Sequence, residues 1–111
     1  DEVARRVIWT KAAWTDLEAA ADYIAKDSTY YAAAFVHEVR DAARTLAHLA
    51  QRGRIVPEFR HTRIRELFVR DYRLIYQVSQ RVVHVLAFIH GARNLPALWD
   101  RGKPGGTKGD D

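Results

Sequence analysis

The hydrophobic period changes once along this chain, and that change restricts the possible folds more than any other feature. Between Lys11 and Ala50 apolar residues recur every three or four positions; from Ile64 onward they recur every second position. The first spacing gives a helix one apolar stripe, and the second gives a strand one apolar face. Each surface must be buried, so the economical solution is helices laid against a sheet.

Residues 3–9 (VARRVIW) alternate loosely and predict a short first strand. Thr10 is placed to cap a helix over Lys11–Lys26, with Ala13, Leu17, Ala20 and Ile24 as its stripe and Trp14 and Ala21 beside it. Asp16, Glu18 and Asp22 fall on the wetter side. Asp27-Ser28 breaks this helix and caps a second, from Thr29 to Ala50, whose stripe is Ala32, Phe35, Val36, Val39, Ala43, Leu46 and Ala50. So short a link folds the two helices back as a hairpin, which Gly53 ends.

Arg63–Val69, Tyr72–Ser79 and Val82–His90 then predict three strands, joined by Arg70-Asp71 and Gln80-Arg81. Links of two residues favour antiparallel pairing. The expected fold is α+β in the order β-α-α-β-β-β, a helical hairpin packed on one face of a small, mainly antiparallel sheet. A tight turn at Gln80-Arg81 pairs Ser79 with Val82, Gln77 with His84 and Arg73 with Phe88. One face then carries Tyr72, Leu74, Tyr76, Val78, Val83, Val85, Ala87 and Ile89 toward the helices. The other carries Arg73, Ile75, Gln77, His84, Leu86, Phe88 and His90, a mixed set expected to be the binding surface. A slip of one residue would exchange the two sets.

At 111 residues the chain has room for one core, so residues 1–99 are expected to be a single domain. The glycine-rich tail 100–111 has almost nothing apolar and is expected to be disordered. No apolar run is long enough for a membrane span. The opening DEVARRVIWT lacks a signal peptide's apolar stretch, and the absent initiator Met points to a trimmed start. With no cysteine the chain fits a reducing cytoplasm, the expected location. His37, His48 and His61 have no metal-ligand spacing, so neither metal nor cofactor is expected.

Charge is unevenly placed. Residues 1–51 carry a net −2, whereas residues 52–93 carry +6, from nine arginines, no lysine and the three acids Glu58, Glu66 and Asp71. The arginine fork grips phosphate or carboxylate at two points, so this bias implies an anionic partner, a nucleic acid or an acidic protein segment. A merely solvated basic surface is the plain alternative.

The opening strand, TKAAWTDLEAAADYIA, GRIVPEFRHTRIRELF, YRLIYQV and HGARNLP, in this order over about residues 7–99, resemble the ParE/RelE superfamily of toxins from bacterial type II toxin–antitoxin modules. The resemblance implies the β-α-α-β-β-β fold and neutralisation by a cognate antitoxin wrapped around the toxin. ParE-type members poison DNA gyrase on cleaved DNA, and RelE-type members cut mRNA on the ribosome. HGARNLP and the run IRELFVRDYRLIY look most like the ParE side. RelE-type cutters are similar in using lysines near the second strand and a tyrosine near the C-terminus. Here the lysines are Lys11, Lys26, Lys103 and Lys108, and the last tyrosine is Tyr76.

The resemblance therefore implies a gyrase inhibitor with no covalent chemistry of its own, whose partners are a ParD-like ribbon-helix-helix antitoxin and gyrase or its DNA complex. Arg65, Arg70, Arg73, His90, Arg93 and Trp99 are the expected partner-contacting residues. A second pattern, similar to YoeB-like nucleases, makes Glu58 a base, Arg73 a phosphate holder and His90 an acid; the partners would then be the ribosome and mRNA. A third possibility keeps antitoxin binding without toxicity. Each residue also has a structural reading. Arg73 can pair with Glu66 on the neighbouring strand, Glu58 can pair with a nearby arginine, and His90 can be a strand-end histidine. Arg65 faces the helices and can snorkel at the sheet edge. Trp9 and Trp14 are expected in the core.

Overall fold

A computed structural model describes residues 4–91. Strand β1 (Arg6–Trp9) leads into helix α1 (Lys11–Ala25) and helix α2 (Thr29–Arg44), and α2 tightens into a 3-10 turn at Thr45–Ala47. Strands β2 (Arg54–Ile55), β3 (Ile64–Val69), β4 (Tyr72–Val78) and β5 (Val82–His90) follow. The sheet order is β1-β5-β4-β3-β2, with β1 parallel to β5 and every other pair antiparallel. This is the expected α+β arrangement with one addition. Strand β2 is two residues long, too short to show a period in the sequence. The tail 100–111 and the domain boundary at residue 99 lie outside the described residues.

Both helices start where the sequence places their caps. The Thr10 hydroxyl oxygen accepts from the Ala13 N–H at 3.1 Å, and the Ser28 hydroxyl oxygen accepts from the Tyr31 N–H at 3.1 Å. Each satisfies a first-turn donor that would otherwise lack a partner. The Thr10 hydroxyl also donates to the Val85 carbonyl at 2.9 Å, fastening the β1–α1 corner to β5. The second helix stops before Ala50. Thr45 turns its hydroxyl back to the Ala42 carbonyl at 2.6 Å, a local bond that competes with regular helix geometry.

The main core lies between the hairpin and the sheet. Ala13, Leu17, Ala20, Phe35, Val39, Ala43, Leu46 and Ala50 pack on Leu74, Tyr76, Val78, Val83, Val85 and Phe88. Tyr76 is fully buried, yet its hydroxyl donates to the Ala50 carbonyl at 2.8 Å and accepts from the Gly53 N–H at 2.9 Å. Burial, its largest influence, pushes that hydroxyl's pKa up, so it stays a neutral donor. Gly53 is required by space: a Cβ there would lie 2.5 Å from the Glu66 carbonyl oxygen. Trp9 packs against the core as expected, but Trp14 does not belong to it. Trp14 is 38% exposed, edge-on to Trp9, with the Arg40 guanidinium over its ring.

The expected β4–β5 register holds only near the turn. Gln77 pairs with His84 and Val78 with Val83, but the ladder shifts between Ile75 and Tyr76. Tyr76 faces Val85 while Ile75 faces Ala87, so Leu86 is an extra residue in β5. Arg73 is therefore opposite Ile89, not Phe88, and Tyr72 is opposite His90. A bulge of one residue sends every later side chain to the other face. Phe88 turns into the helix-side core, stacked on Tyr72 at 4.9 Å and tilted against Phe35 at 5.9 Å. Ile89 and Ala87 turn to the second face, beside Val56, Phe59, Ile64 and Ile75. Asp16 fixes the shifted strand, since its Oδ2 accepts the Phe88 N–H at 3.0 Å. Asp16 is thus half-buried against β5 and not on the wet side of α1, where the helical period alone puts it.

Candidate functional site

Two sites lie on opposite faces of the sheet. On the face away from the helices, register makes Glu66 of β3 and Arg73 of β4 diagonal neighbours, because Glu66 pairs with Ile75 and Phe68 with Arg73. The Arg73 Nε donates to Glu66 Oε1 at 2.6 Å. Its two terminal nitrogens grip both oxygens of Glu58, at 2.8 and 3.0 Å. The Arg54 Nε donates to the other Glu66 oxygen at 2.6 Å. Glu58 reaches this position because the segment 56–63 folds over the sheet: Val56 and Phe59 pack on Ile64, Ile75 and Ile89. Arg60 turns the segment with φ 54°, in the left-handed region.

Charge is compensated throughout this cluster. The Glu66 side chain is fully buried and that of Arg73 is 6% exposed, a burial tolerable because both Glu66 oxygens and all three guanidinium nitrogens are hydrogen-bonded. Among the described residues no buried side-chain nitrogen or oxygen lacks a partner. The hydrogen bonds from Arg73 hold the Glu58 carboxyl below its ordinary value of 4.5, outweighing its partial desolvation. The same bonds raise Arg73 above its ordinary value. Glu58 is thus a weakened base, and the Arg73 fork is already filled by a carboxylate.

On the helix side, the far end of the hairpin leaves a groove of about 370 Å³ against the ends of β4 and β5. It is lined by Tyr23, Ile24, Tyr31, Phe35, Tyr72 and His90, with Arg70 and Asp71 of the β3–β4 turn among the remaining walls. The His90 ring stands edge-on to Tyr72 at 5.5 Å. Burial, first among its causes, raises the Tyr72 hydroxyl above its ordinary pKa. Arg70 occupies a left-handed turn position at φ 55° and donates to Glu38 of α2 at 2.9 Å. Among the described residues no cluster of histidines and acids could hold a metal ion.

Comparison with known sequences identifies the family. Residues 7–95 match the sequence model described as "ParE toxin of type II toxin-antitoxin system, parDE". The chain belongs to the ParE toxin family. A curated protein, Toxin RelE2 of Caulobacter vibrioides, is 35% identical over 89 residues, covering 79% of this chain and 97% of its own length. A solved structure titled "Chromosomal ParDE TA system from P. aeruginosa" superposes with a TM-score of 0.67 at 20% identity, covering 80% of this chain and 98% of that one. The crystal structure of the RelBE2 toxin–antitoxin complex of Mycobacterium tuberculosis gives a TM-score of 0.54 at 24% identity, covering 79% and 99%. These two likenesses concern the fold, and they agree with the α+β architecture described above.

Within this ParE-family frame the residues singled out from sequence are scattered. Glu58 and Arg73 lie together on one sheet face, and His90 lies on the other, lining the groove with Arg70. Arg65 faces the helix side opposite Tyr76, as expected, and donates to the Gly53 carbonyl at 2.8 Å. Arg93 and Trp99 lie outside the described residues. The exposed aromatics Tyr23, Tyr30 and Tyr31, at 67%, 76% and 66% exposure, are not among the residues expected from the sequence to meet a partner. Their signal was available: all three fall off the apolar stripes of α1 and α2, so the core does not explain them.

Proposed function

We propose that this ParE-family toxin acts by binding and inhibiting DNA gyrase, performs no bond cleavage itself, and is neutralised in the cytoplasm by a cognate antitoxin. The observation that supports this reading is the separation of Glu58 and Arg73 from His90 across the sheet. Cutting RNA with its own 2′-hydroxyl needs a base, an acid and a cation converging on one phosphate. Here the candidate base and cation satisfy each other, and the candidate acid is behind the strands. Membership of the ParE family adds to the case. Antitoxin binding is inferred from the same membership and from neighbours whose titles describe toxin–antitoxin systems.

One observation favours a second reading, a ribosome-dependent endoribonuclease: the relative at 35% identity is named RelE2. Incubating the protein with gyrase and supercoiled plasmid, and separately with a translating mRNA, distinguishes the two. Gyrase inhibition gives protein-linked plasmid breaks and intact mRNA. Codon-linked mRNA cuts with undamaged plasmid would discard it.

A further inference from the structure

Two of the arginines expected from sequence to contact a partner, Arg70 and Arg73, are already engaged by carboxylates. Arg44, Arg54, Arg70 and Arg73 each sit on a carboxylate. At the end of the sheet where β1 and β3 begin and β4 turns into β5, a second set has none. Arg5, Arg6, Arg63 and Arg81 form no ion pair with a carboxylate among the described residues. All but half-buried Arg5 are exposed.

Backbone bonds hold this set in place. The Arg6 N–H donates to the Arg81 carbonyl at 3.0 Å, and the Arg63 carbonyl accepts from the Val78 N–H at 2.9 Å. Arg5 uses its Nε on the Ser79 carbonyl at 2.8 Å, which leaves its two terminal nitrogens for another partner. The strand order β1-β5-β4-β3 places Arg6 and Arg63 three strand spacings apart. At about 4.8 Å each, that is roughly 14 Å. A row of that length can face about three phosphates of a duplex.

We propose that this arginine end docks on the phosphate backbone of duplex DNA. Strand ends offer no free ladder for a peptide to extend. Single strands are held by stacked aromatic rings as well as by charge. The exposed Trp, Tyr and Phe rings of the described residues are Trp14, Tyr23, Tyr30, Tyr31 and Phe68, and none belongs to the segments 4–6, 60–64 and 79–82 that build this end; the exposed imidazole there, His61, accepts the Arg63 N–H at its Nδ1. What remains is sequence-independent charge on a rigid frame. The proposal rests on the gyrase reading for its setting, giving the toxin its own hold on the DNA that gyrase engages.

The test is fluorescence anisotropy of the full chain with a labelled DNA duplex at several salt concentrations, with gyrase and antitoxin absent. Three phosphate contacts give a log–log slope of about −2.7, so binding weakens about 40-fold between roughly 50 and 200 mM salt. The triple substitution Arg6→Gln, Arg63→Gln, Arg81→Gln is expected to abolish most of that dependence while circular dichroism is unchanged. Arg40→Gln, on the outer face of α2, is expected to keep it. No binding at low salt, an unchanged slope in the triple variant, or tighter binding to the matching single strand overturns the proposal. Gyrase trapping without duplex binding would remove this inference and leave the function; duplex binding without trapping would do the reverse.

Discussion

Arg73 separates a structural role from a catalytic one. Its guanidinium makes three charge-assisted hydrogen bonds, to Glu66 at 2.6 Å and to Glu58 at 2.8 and 3.0 Å. Replacing it with Met leaves the fully buried Glu66 side chain with Arg54 alone, and strands Glu58, whose side chain is 33% exposed. Removing one partner of a buried ion pair costs about 3–5 kcal/mol, because the remaining charge stays desolvated. Arg54 and water relieve part of that, so the expected loss is about 3 kcal/mol. Urea unfolding measures it. With a slope of about 2 kcal/mol per molar, the midpoint falls by roughly 1.5 M with the slope unchanged. The double variant Arg73→Met, Glu66→Leu removes both buried charges and is expected to recover much of the loss. A midpoint for Arg73→Met within the error of the parent would refute the structural role and return Arg73 to ligand chemistry.

Tyr76→Phe deletes the hydroxyl shared by Ala50 and Gly53, leaving a buried carbonyl and N–H unpaired, and should cost about 1–3 kcal/mol in the same unfolding assay. Gly53→Ala forces a Cβ to 2.5 Å from the Glu66 backbone oxygen; soluble yield and thermal midpoint should both drop sharply. Thr10→Ala removes the α1 cap and the tie to Val85, with an expected cost of about 1–2 kcal/mol by thermal unfolding. Glu58 has a folded pKa below its ordinary 4.5, so its contribution is present above that value and disappears as pH falls through the depressed one. Glu58→Gln should therefore flatten the acid limb of stability against pH below about 4.5 while losing stability at neutral pH.

The fold was legible because its large-scale signals are local. Thr10 and Ser28 announce helix starts through side chains that bond within their own first turn, and a change of period from 3.6 to 2 marks where helices give way to strands. The Arg73–Glu66 pair and the inward course of Arg65 were also within reach, since both follow from alternation along β3 and β4. The bulge at Leu86 was not. No glycine marks it, and it is favoured by tertiary gains: Phe88 entering the core between Phe35 and Tyr72, and its N–H meeting Asp16. That one extra residue decided the site. It carries His90 to the helix side while Glu58 and Arg73 stay on the other, so a triad plausible in sequence is divided in space. Strand β2 escaped notice for a different reason, since two residues carry no period. The exposed tyrosines were legible only by subtraction, as aromatic residues that the core had no use for.

The division of His90 from Arg73 and Glu58 by the sheet underlies the non-cutting reading, and proton NMR tests it directly. Nuclear Overhauser contacts from the His90 ring to the Tyr72 ring, 5.5 Å away between centroids, are the expected result, with none to the side chains of Arg73, Ile75 or Phe59. Contacts from His90 to Arg73 or Phe59 would place all three groups on one face, contradict the bulged register and restore the nuclease constellation.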